Sequence, residues 1–459
     1  MFVGRKNELE FLQEKYESKK AELITIYGRR RIGKTELLRE FVKDKKHIFY
    51  SGHEINNNMQ LKRISRSVID HFRVNIYSKS FEGWESMFTY IGENLSGKEK
   101  TIIVFDEFPY MVASNNSIPS VMQFAWDHIL SKKNIMIIIC GSSMSFMKKE
   151  VLSEKNPLYG RMTGLLKMTE MDFESSKAFY SRSPVDEQIA YYSVFSGVPY
   201  YLSLIDNSLS FKENIIRNIL RNGSILFNEV EFLLKQELRE VGVYNTIITA
   251  VALGRTKQNE IVQLTGIEKT KLSYYLNSLM DLGIVRKEFP STVKTKDMPK
   301  SRNGLYQLDN GFFRFYYRFV YPYLSELSDG NIEIIYEDVI EKQLSSFIGY
   351  EFERIAINHM RQMNIENSLP IRCIKIGRWW KKDREIDIVA YDSQNRYIFG
   401  ECKWRNEKVG TKVLRELQEK SMDIKKSIGR YYILYSKSGF TEELINMSKV
   451  DKGIILVCM

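Results

Sequence analysis

Two sets of residues in this chain have types and spacings that can do chemistry. The first is the octapeptide Gly28-Arg29-Arg30-Arg31-Ile32-Gly33-Lys34-Thr35, which fits the phosphate-loop pattern G-x-x-x-x-G-K-[ST] without mismatch. In such a loop glycines let the backbone wrap phosphates, amide N–H groups point inward, and the following helix adds partial positive charge. Lys34 would reach the β- and γ-phosphates of ATP, Thr35 would put its hydroxyl on Mg²⁺, and Glu36 adjoins the site. Asp106 and Glu107 supply the acids this chemistry needs, Asp106 for the Mg²⁺ shell and Glu107 as general base for the attacking water. Ser142 or Ser143 is a candidate contact to the γ-phosphate or the water. Arg161 is a candidate stabiliser of transition-state charge, in cis or from a neighbouring subunit. The blander readings are an acidic turn, a helix-capping serine and a solvated arginine.

The second set lies near the other end. Arg384 to Tyr391 and Tyr397 to Trp404 read as two strands joined by the turn Asp392-Ser393-Gln394-Asn395. A hairpin centred on Gln394 sets Asp387 directly opposite Glu401, with Lys403 on the same face. Opposed carboxylates are destabilising unless a cation lies between them, and Mg²⁺, a hard ion, suits oxygen ligands. Lys403 would then orient or activate water, or stabilise developing phosphorane-like charge. A preceding helix adds Glu353 as a further acid and metal ligand, with Glu351 the fallback. The pattern D…E-x-K is weak alone, because acids and lysines commonly dress the exposed faces of strands. Trp379-Trp380-Lys381-Lys382 adds a basic, aromatic approach suited to nucleic acid.

The elements that must position these groups are legible as patterns. Leu23 to Tyr27 reads as a buried strand before the loop, and Glu36 to Val42 as an amphipathic helix after it. Thr101 to Phe105 is a buried strand ending in the two acids, and Asn134 to Cys140 another ending in Gly141-Ser142-Ser143. Residues from about 173 to 238 are helical in period. Gln258 to Ile267, Lys269 to Asp281 and a strand from Leu282 to Lys287 follow the helix-turn-helix plan, and Pro290 to Asn303 would form a wing before the strand Gly304 to Leu308. Lys269, Lys271, Ser273, Tyr274 and Asn277 are its groove-facing candidates, with packing or oligomerisation an equally weighted role. The aromatic run from Phe312 to Tyr323 reads as a core or an inter-domain seam, the seam being preferred. A short strand, Ile371 to Ile376, precedes the acid-bearing hairpin.

A chain of 459 residues exceeds one core. Apolar residues make up 43% and charged residues 27%, as in soluble globular proteins. Lys and Arg number 68 against 57 Asp and Glu, a net charge of +11 that suits a polyanionic partner. Cys140, Cys373, Cys402 and Cys458 lack paired spacing and read as reduced thiols. No apolar run is long enough to span a bilayer and the N-terminus has no signal core, so a cytoplasmic protein without membrane attachment is expected.

The first half resembles the AAA-type ATPases, in the clade of archaeal-type and STAND ATPases. Phe2-Val3-Gly4-Arg5-Lys6-Asn7-Glu8-Leu9 is similar to that clade's N-terminal box, which implies Val3 near the adenine. The phosphate loop and Asp106-Glu107 match its two nucleotide motifs, Ser142 its first sensor, Gly160-Arg161 an arginine finger, and Gly197-Val198-Pro199 the G-x-P of its helical lid, which brings in Pro199. The element order around Glu353, Asp387, Glu401 and Lys403 resembles the PD-(D/E)XK nuclease fold, in its Mrr-like and Holliday-junction-resolvase-like branch.

The resemblances imply an α/β chain: a P-loop ATPase core at 1–172, a helical lid at 173–238, a winged helix at 239–323, a linker at 324–344 and a nuclease-like domain at 345–459. The implied function is ATP-gated, Mg²⁺-dependent cleavage of nucleic acid, DNA foremost, with homo-oligomerisation left open. The alternative is a nucleotide-switched regulator or scaffold whose C-terminal domain binds without cutting.

Overall fold

A computed structural model describes residues 2–72, 80–95, 99–425 and 427–459. The chain divides into two compact units. One comprises residues 1–178, 197–203 and 235–239; the other comprises 179–196, 204–234 and 240–459. No described helix is long and apolar enough to cross a membrane. All four cysteines are free.

The first unit is built on five strands: β1 (Glu22–Tyr27), β2 (His47–Ser51), β3 (Thr101–Asp106), β4 (Ile135–Gly141) and β5 (Gly164–Lys167). Their order is β2-β3-β4-β1-β5, and every neighbouring pair is parallel. β1, β3 and β4 are buried along their whole length, as their unbroken apolar runs require of a sheet covered on both faces. Ile24, Ile26, Val104 and Ile138 pack against Leu37, Leu38 and Phe41 of the helix Lys34–Val42. Parallel pairing brings the carboxyl ends of β1, β3 and β4 side by side, where open sheets of this kind place their ligands.

The second unit contains two sheets. β6 (Val285–Glu288) and β7 (Leu305–Leu308) form an antiparallel hairpin after the helices Val241–Ala252, Gln258–Thr265 and Lys269–Asp281. β8 (Lys375–Lys381), β9 (Arg384–Tyr391), β10 (Arg396–Lys403), β11 (Gly429–Ser436) and β12 (Ile454–Cys458) form a mixed sheet in the order β12-β11-β10-β9-β8. The 24-residue helix Lys342–Ile365 packs on β8, β9 and β10, and the helix Thr411–Ser421 on β9, β10 and β11. Trp379, Phe399, Leu414 and Leu434 form part of the core of this sheet.

Three expectations change. The segment 324–344, expected as a linker, is helical: it contains the helix Leu324–Ser328 and, from Ile332, a helical run that passes through a wide π turn at Ile335–Glu341 into the helix Lys342–Ile365. The π turn shifts the apolar period, so the pattern does not read as one helix. The strand expected at Ile371 begins at Lys375, because the Asn364 side chain holds both the N–H and the C=O of Cys373 and keeps the chain on the helix until then. The helical segment 173–238 is shared between the two units rather than standing alone.

The aromatic run lies inside the second unit. Phe312, Phe313, Phe315, Tyr317 and Phe319 are fully buried, and Phe315 and Phe319 meet Phe347 edge to face. The loop between β6 and β7 does not stand free. Ser291 N–H donates to Arg378 C=O, Lys375 Nζ to Val293 C=O, and the Trp380 indole to Asn303 C=O, which fastens it along β8.

Candidate functional site

The loop after β1 is shaped by close backbone approach. A Cβ on Gly28 would lie 2.5 Å from Met168 C=O, and Gly33 has φ of 86°, so neither position admits a side chain without strain. Lys34 is buried and folds back on the loop, donating to Gly28 C=O and Arg29 C=O at 2.8 Å each. Burial lowers its pKa, opposed by Asp106 and Glu107.

The groups of the neighbouring strand tips meet this loop. Thr35 Oγ1 donates to Asp106 Oδ2 at 2.8 Å, and Asp106 is almost wholly buried. Glu107 takes a left-handed backbone conformation, φ 50°, and Ser142 donates to both of its carboxylate oxygens, at 2.8 and 2.7 Å. A non-glycine residue in that region is uncommon and marks a position fixed by its surroundings. Ser142 therefore aims the carboxylate of Glu107 as well as standing at the tip itself.

Each arginine inside the loop has an identifiable partner. Arg29 pairs with Glu170 at 3.1 Å, Arg30 donates to Tyr110 at 3.1 Å, and Arg31 lies over the Tyr200 ring at 4.6 Å. Arg31 also has positive φ, 68°, and its C=O accepts from Tyr200 N–H. Ile32 is buried, and its C=O accepts from Arg5 Nη2 at 2.8 Å, which ties the N-terminal box beside Val3 to the loop. Pro199 lies against Gly33. The motif string alone does not reveal these braces, because each partner is distant in sequence.

Two candidates do not join this group. The Glu36 side chain points outward toward Arg39, so only its backbone adjoins the loop. Arg161 is held bidentate by Asp127 at 2.8 to 3.0 Å, and also donates to Pro157 C=O. Sequence reading missed Glu237. Its carboxylate accepts from Met144 N–H at 3.0 Å and Ser145 N–H at 3.2 Å, just beyond Ser142.

In the second unit the acid-bearing hairpin has the register its turn requires: Tyr397 pairs with Tyr391, and the ladder runs to Gly400 with Ile388. One step further puts Asp387 across from Glu401. Asp387 Oδ2 accepts from Cys402 N–H at 2.8 Å, and Glu401 pairs with Lys403 at 2.8 Å. Lys420, unforeseen in the sequence, approaches Glu401 from the helix Thr411–Ser421 at 3.4 Å.

On the other side of β9 the register slips. Gly377 pairs with Val389 but Trp379 with Ile386, so Asp387 and Ile388 together oppose the single residue Arg378. Such a bulge re-aims side chains. Arg378 lies 3.7 Å from Glu353, 3.6 Å from Glu385 and 3.6 Å from Glu288. Glu353 Oε2 is sealed from solvent and accepts no hydrogen bond among the described residues.

Burial is the largest influence on Glu353. With Asp387 and Glu401 nearby it outweighs Arg378 and pushes the carboxyl up to about 8. Burial and Glu401 likewise raise Asp387, to about 6, against the Cys402 N–H, Lys403 and Arg378. Burial would lower Lys403, but Glu401 and Asp387 prevail and raise it. Glu351, the fallback acid, belongs elsewhere: Arg314 and Arg354 hold it ionised, with its pKa lowered despite burial. Trp379 is a core residue, so of the tryptophan pair only Trp380 reaches the surface.

The acids are neighbours without forming a ready cage: no set of three His, Cys, Asp or Glu among the described residues is arranged to hold a metal ion. Charge repulsion, raised pKa values and an orphaned buried oxygen are nevertheless what a divalent cation would relieve. On the helix Lys269–Asp281 Lys269, Lys271, Tyr274 and Asn277 are exposed, while Ser273 accepts from Gln258 at 2.7 Å.

Residues 2–205 match an ATPase domain predominantly from Archaea, and residues 316–423 match a family described as archaeal and bacterial proteins of unknown function. The latter segment contains Glu353, Arg378, Asp387, Glu401, Lys403 and Lys420. An uncharacterized protein of Methanocaldococcus jannaschii is 35% identical over 95% of this chain and 96% of its own length. An uncharacterized ATP-binding protein of the same organism is 59% identical over 46 residues, 10% of this chain and 78% of its own. Among solved structures, a Walker-type ATPase of Pyrococcus abyssi aligns over 69% of this chain and 96% of its own, with a TM-score of 0.52 and 19% identity. That similarity concerns the fold.

Proposed function

The chain belongs to the same family as its full-length M. jannaschii relative, with an archaeal-type ATPase domain at its head, and from that premise we propose that it hydrolyses ATP to control a DNA-acting C-terminal domain. The supporting observation is the contact pair Thr35–Asp106 and Ser142–Glu107, which joins three strand tips around the phosphate loop. Lys34 leaves the carbonyls of Gly28 and Arg29 for the phosphates. Thr35 and Asp106 would hold Mg²⁺, and Glu107, aimed by Ser142, would take the proton of the attacking water. The test is ATP turnover by the full chain, with Lys34→Ala and Glu107→Gln as controls. Turnover unchanged in both variants would sink the assignment.

In the C-terminal domain Glu353, Asp387 and Glu401 are the residues that would hold Mg²⁺. The ion would supply Lewis-acid stabilisation of phosphodiester cleavage there. Lys403 stays protonated and stabilises charge on the phosphate oxygens. The helices Gln258–Thr265 and Lys269–Asp281 with the β6–β7 hairpin act as a winged helix, presenting Lys269, Lys271, Tyr274 and Asn277 to DNA. Cleavage of plasmid or branched DNA with Mg²⁺ and ATP, lost in Asp387→Ala, is the expected result. A wild-type protein that cuts no DNA or RNA defeats the cleavage claim.

One observation favours a second reading. The acids are not gathered as a ligand set, and Arg378, Lys403 and Lys420 already neutralise part of their charge. A nucleotide-switched protein that binds DNA or a partner without cutting would show no metal affinity that depends on Asp387 and Glu401.

A further inference from the structure

The position of Arg378 is unusual for a buried arginine. Guanidinium groups in ion pairs ordinarily settle on one carboxylate with two short hydrogen bonds. Arg378 instead stands 3.6 to 3.7 Å from Glu288, Glu353 and Glu385, near all three and closely bonded to none of them. Two of those carboxylates carry the deficit: Glu288 Oε2 and Glu353 Oε2 are sealed from solvent and accept no hydrogen bond among the described residues. The bulge at Asp387–Ile388 fixes Arg378 against the acid cluster, and its own C=O is held by Ser291 of the β6–β7 loop.

Glu288 makes this arrangement more than local. It ends β6, and Arg286 on the same strand lies 3.7 Å from it and 2.9 Å from Asp309, just past β7. Glu385 on β9 shares in drawing Arg378 from Glu353, and the other part of that charge is carried by the hairpin that follows the helix-turn-helix. The intervening loop lies along β8 and exposes Lys294, Lys296, Lys300 and Arg302. A movement of that hairpin changes the balance between Glu288 and Glu353 at Arg378.

We propose that Arg378 is a resident counter-ion in the carboxylate site, shared with Glu288, and that a divalent cation binds Glu353, Asp387 and Glu401 only as Arg378 is drawn off toward the β6–β7 hairpin. This rests on reading those carboxylates as a cation site and adds its regulation. A guanidinium a few ångströms from Glu353 opposes a second cation there by direct repulsion. A polyanion gripping the lysines of the loop would move the hairpin, and with it the charge that holds Arg378. The site would then load when nucleic acid is in place.

The test is Mn²⁺ titration of the full chain without nucleotide, read from the electron paramagnetic resonance signal of the free ion. Arg378→Gln should bind Mn²⁺ at least about tenfold more tightly than wild type, because one opposing charge is gone. Glu288→Gln should bind more weakly than wild type, because Arg378 then settles on Glu353. Asp387→Ala marks the site and separates the two claims. If no Mn²⁺ binding depends on Asp387, the cation-site reading falls. If binding depends on Asp387 but Arg378→Gln leaves it unchanged or weaker, the counter-ion proposal alone is overturned. Should Arg378→Gln fail to fold, Glu288→Gln decides: unchanged or tighter binding overturns the proposal.

Discussion

The phosphate loop and the C-terminal acid cluster are both built at strand ends from buried charge, yet they are held in opposite ways. Around the loop the lysine, threonine and acids of the nucleotide motifs have short, committed partners: Lys34 on Gly28 and Arg29, Thr35 on Asp106, Ser142 on Glu107, all at 2.7 to 2.8 Å. In the acid cluster Asp387 and Glu401 each keep one contact of 2.8 Å, to Cys402 N–H and Lys403, but Arg378 and Lys420 stand at 3.4 to 3.7 Å, two carboxyls have raised pKa values, and Glu353 Oε2 accepts no hydrogen bond among the described residues. The first site is organised before its ligand arrives. The second keeps an unresolved charge balance that a cation or a protonation change would settle. A preorganised site responds to mutation through chemistry, whereas a balanced one responds through affinity and stability.

The largest expected effects test the preorganised side. Lys34→Ala should abolish measurable turnover of ATP. Glu107→Gln should keep nucleotide binding and lower turnover by about 10²–10⁴-fold, the usual worth of a general base. Ser142→Ala is the sharper variant, since it removes only the group that aims Glu107. It should lower turnover with little change in nucleotide affinity. Equal losses of affinity and turnover in Ser142→Ala would place the serine on the nucleotide instead.

Glu351 and Glu353 lie two residues apart on one helix and should behave oppositely. Glu351 is fully engaged by Arg314 and Arg354, and removing it leaves both arginines in a buried setting without their acid. Glu351→Ala should destabilise the fold by about 3–5 kcal/mol. Glu353→Gln removes repulsion with Asp387 and Glu401, so it should be neutral or stabilising in the absence of a divalent cation. Thermal melts of the two variants in chelator are the measurement, and equal losses would mean that the two acids are held alike.

The sequence shows these two acids side by side but does not say which one meets Asp387. The helix phase decides it: Glu351 turns to the arginines of the aromatic core and Glu353 to β9. The phosphate loop was legible because its geometry is local, a strand, eight residues and a helix. The hairpin register was legible for the same reason, since its turn sets every pair. What stayed hidden depends on partners far apart in the chain: the braces of Arg29, Arg30 and Arg31, the approach of Lys420, and Arg378 opposite a bulge that no alternation of residue types reveals. Trp379 and Trp380 illustrate the limit. As a pair they look like a nucleic-acid platform, yet alternation on β8 sends Trp379 into the core and leaves Trp380 at the surface.

The raised carboxyls give a pH signature of intermediate size. A carboxyl whose pKa is higher folded than unfolded stabilises the protein fully below the unfolded value and loses that contribution as pH rises through the folded value. For Asp387 and Glu353 the window runs from the ordinary carboxylate range to about 6 and about 8. Stability in chelator should therefore fall from pH 5 to pH 8, by at most about 1.4 kcal/mol per pH unit for each titrating group. Glu353→Gln should flatten the upper part of that slope. Mn²⁺ should bind more tightly at pH 8 than at pH 6, because binding expels the proton from Glu353. A flat stability profile would mean that the acids are ionised without strain and that the contrast between the two sites is overstated.

The smallest effect is expected at Arg161, which draws the edge of the preorganised site. Its guanidinium is bidentate on Asp127, and both side chains are about one-third exposed, at 33% each. An exposed pair of this kind contributes roughly 0–1 kcal/mol, so Arg161→Ala should leave the melting temperature nearly unchanged. An arginine that stabilised transition-state charge would instead cost about 10³–10⁵-fold in turnover when removed. The two outcomes are far enough apart that one ATPase assay separates them. Turnover close to wild type leaves Arg161 to Asp127. A collapse of turnover that an added Lys34→Ala subunit restores would show the arginine acting across a subunit boundary, since such a subunit supplies Arg161 and no working phosphate loop.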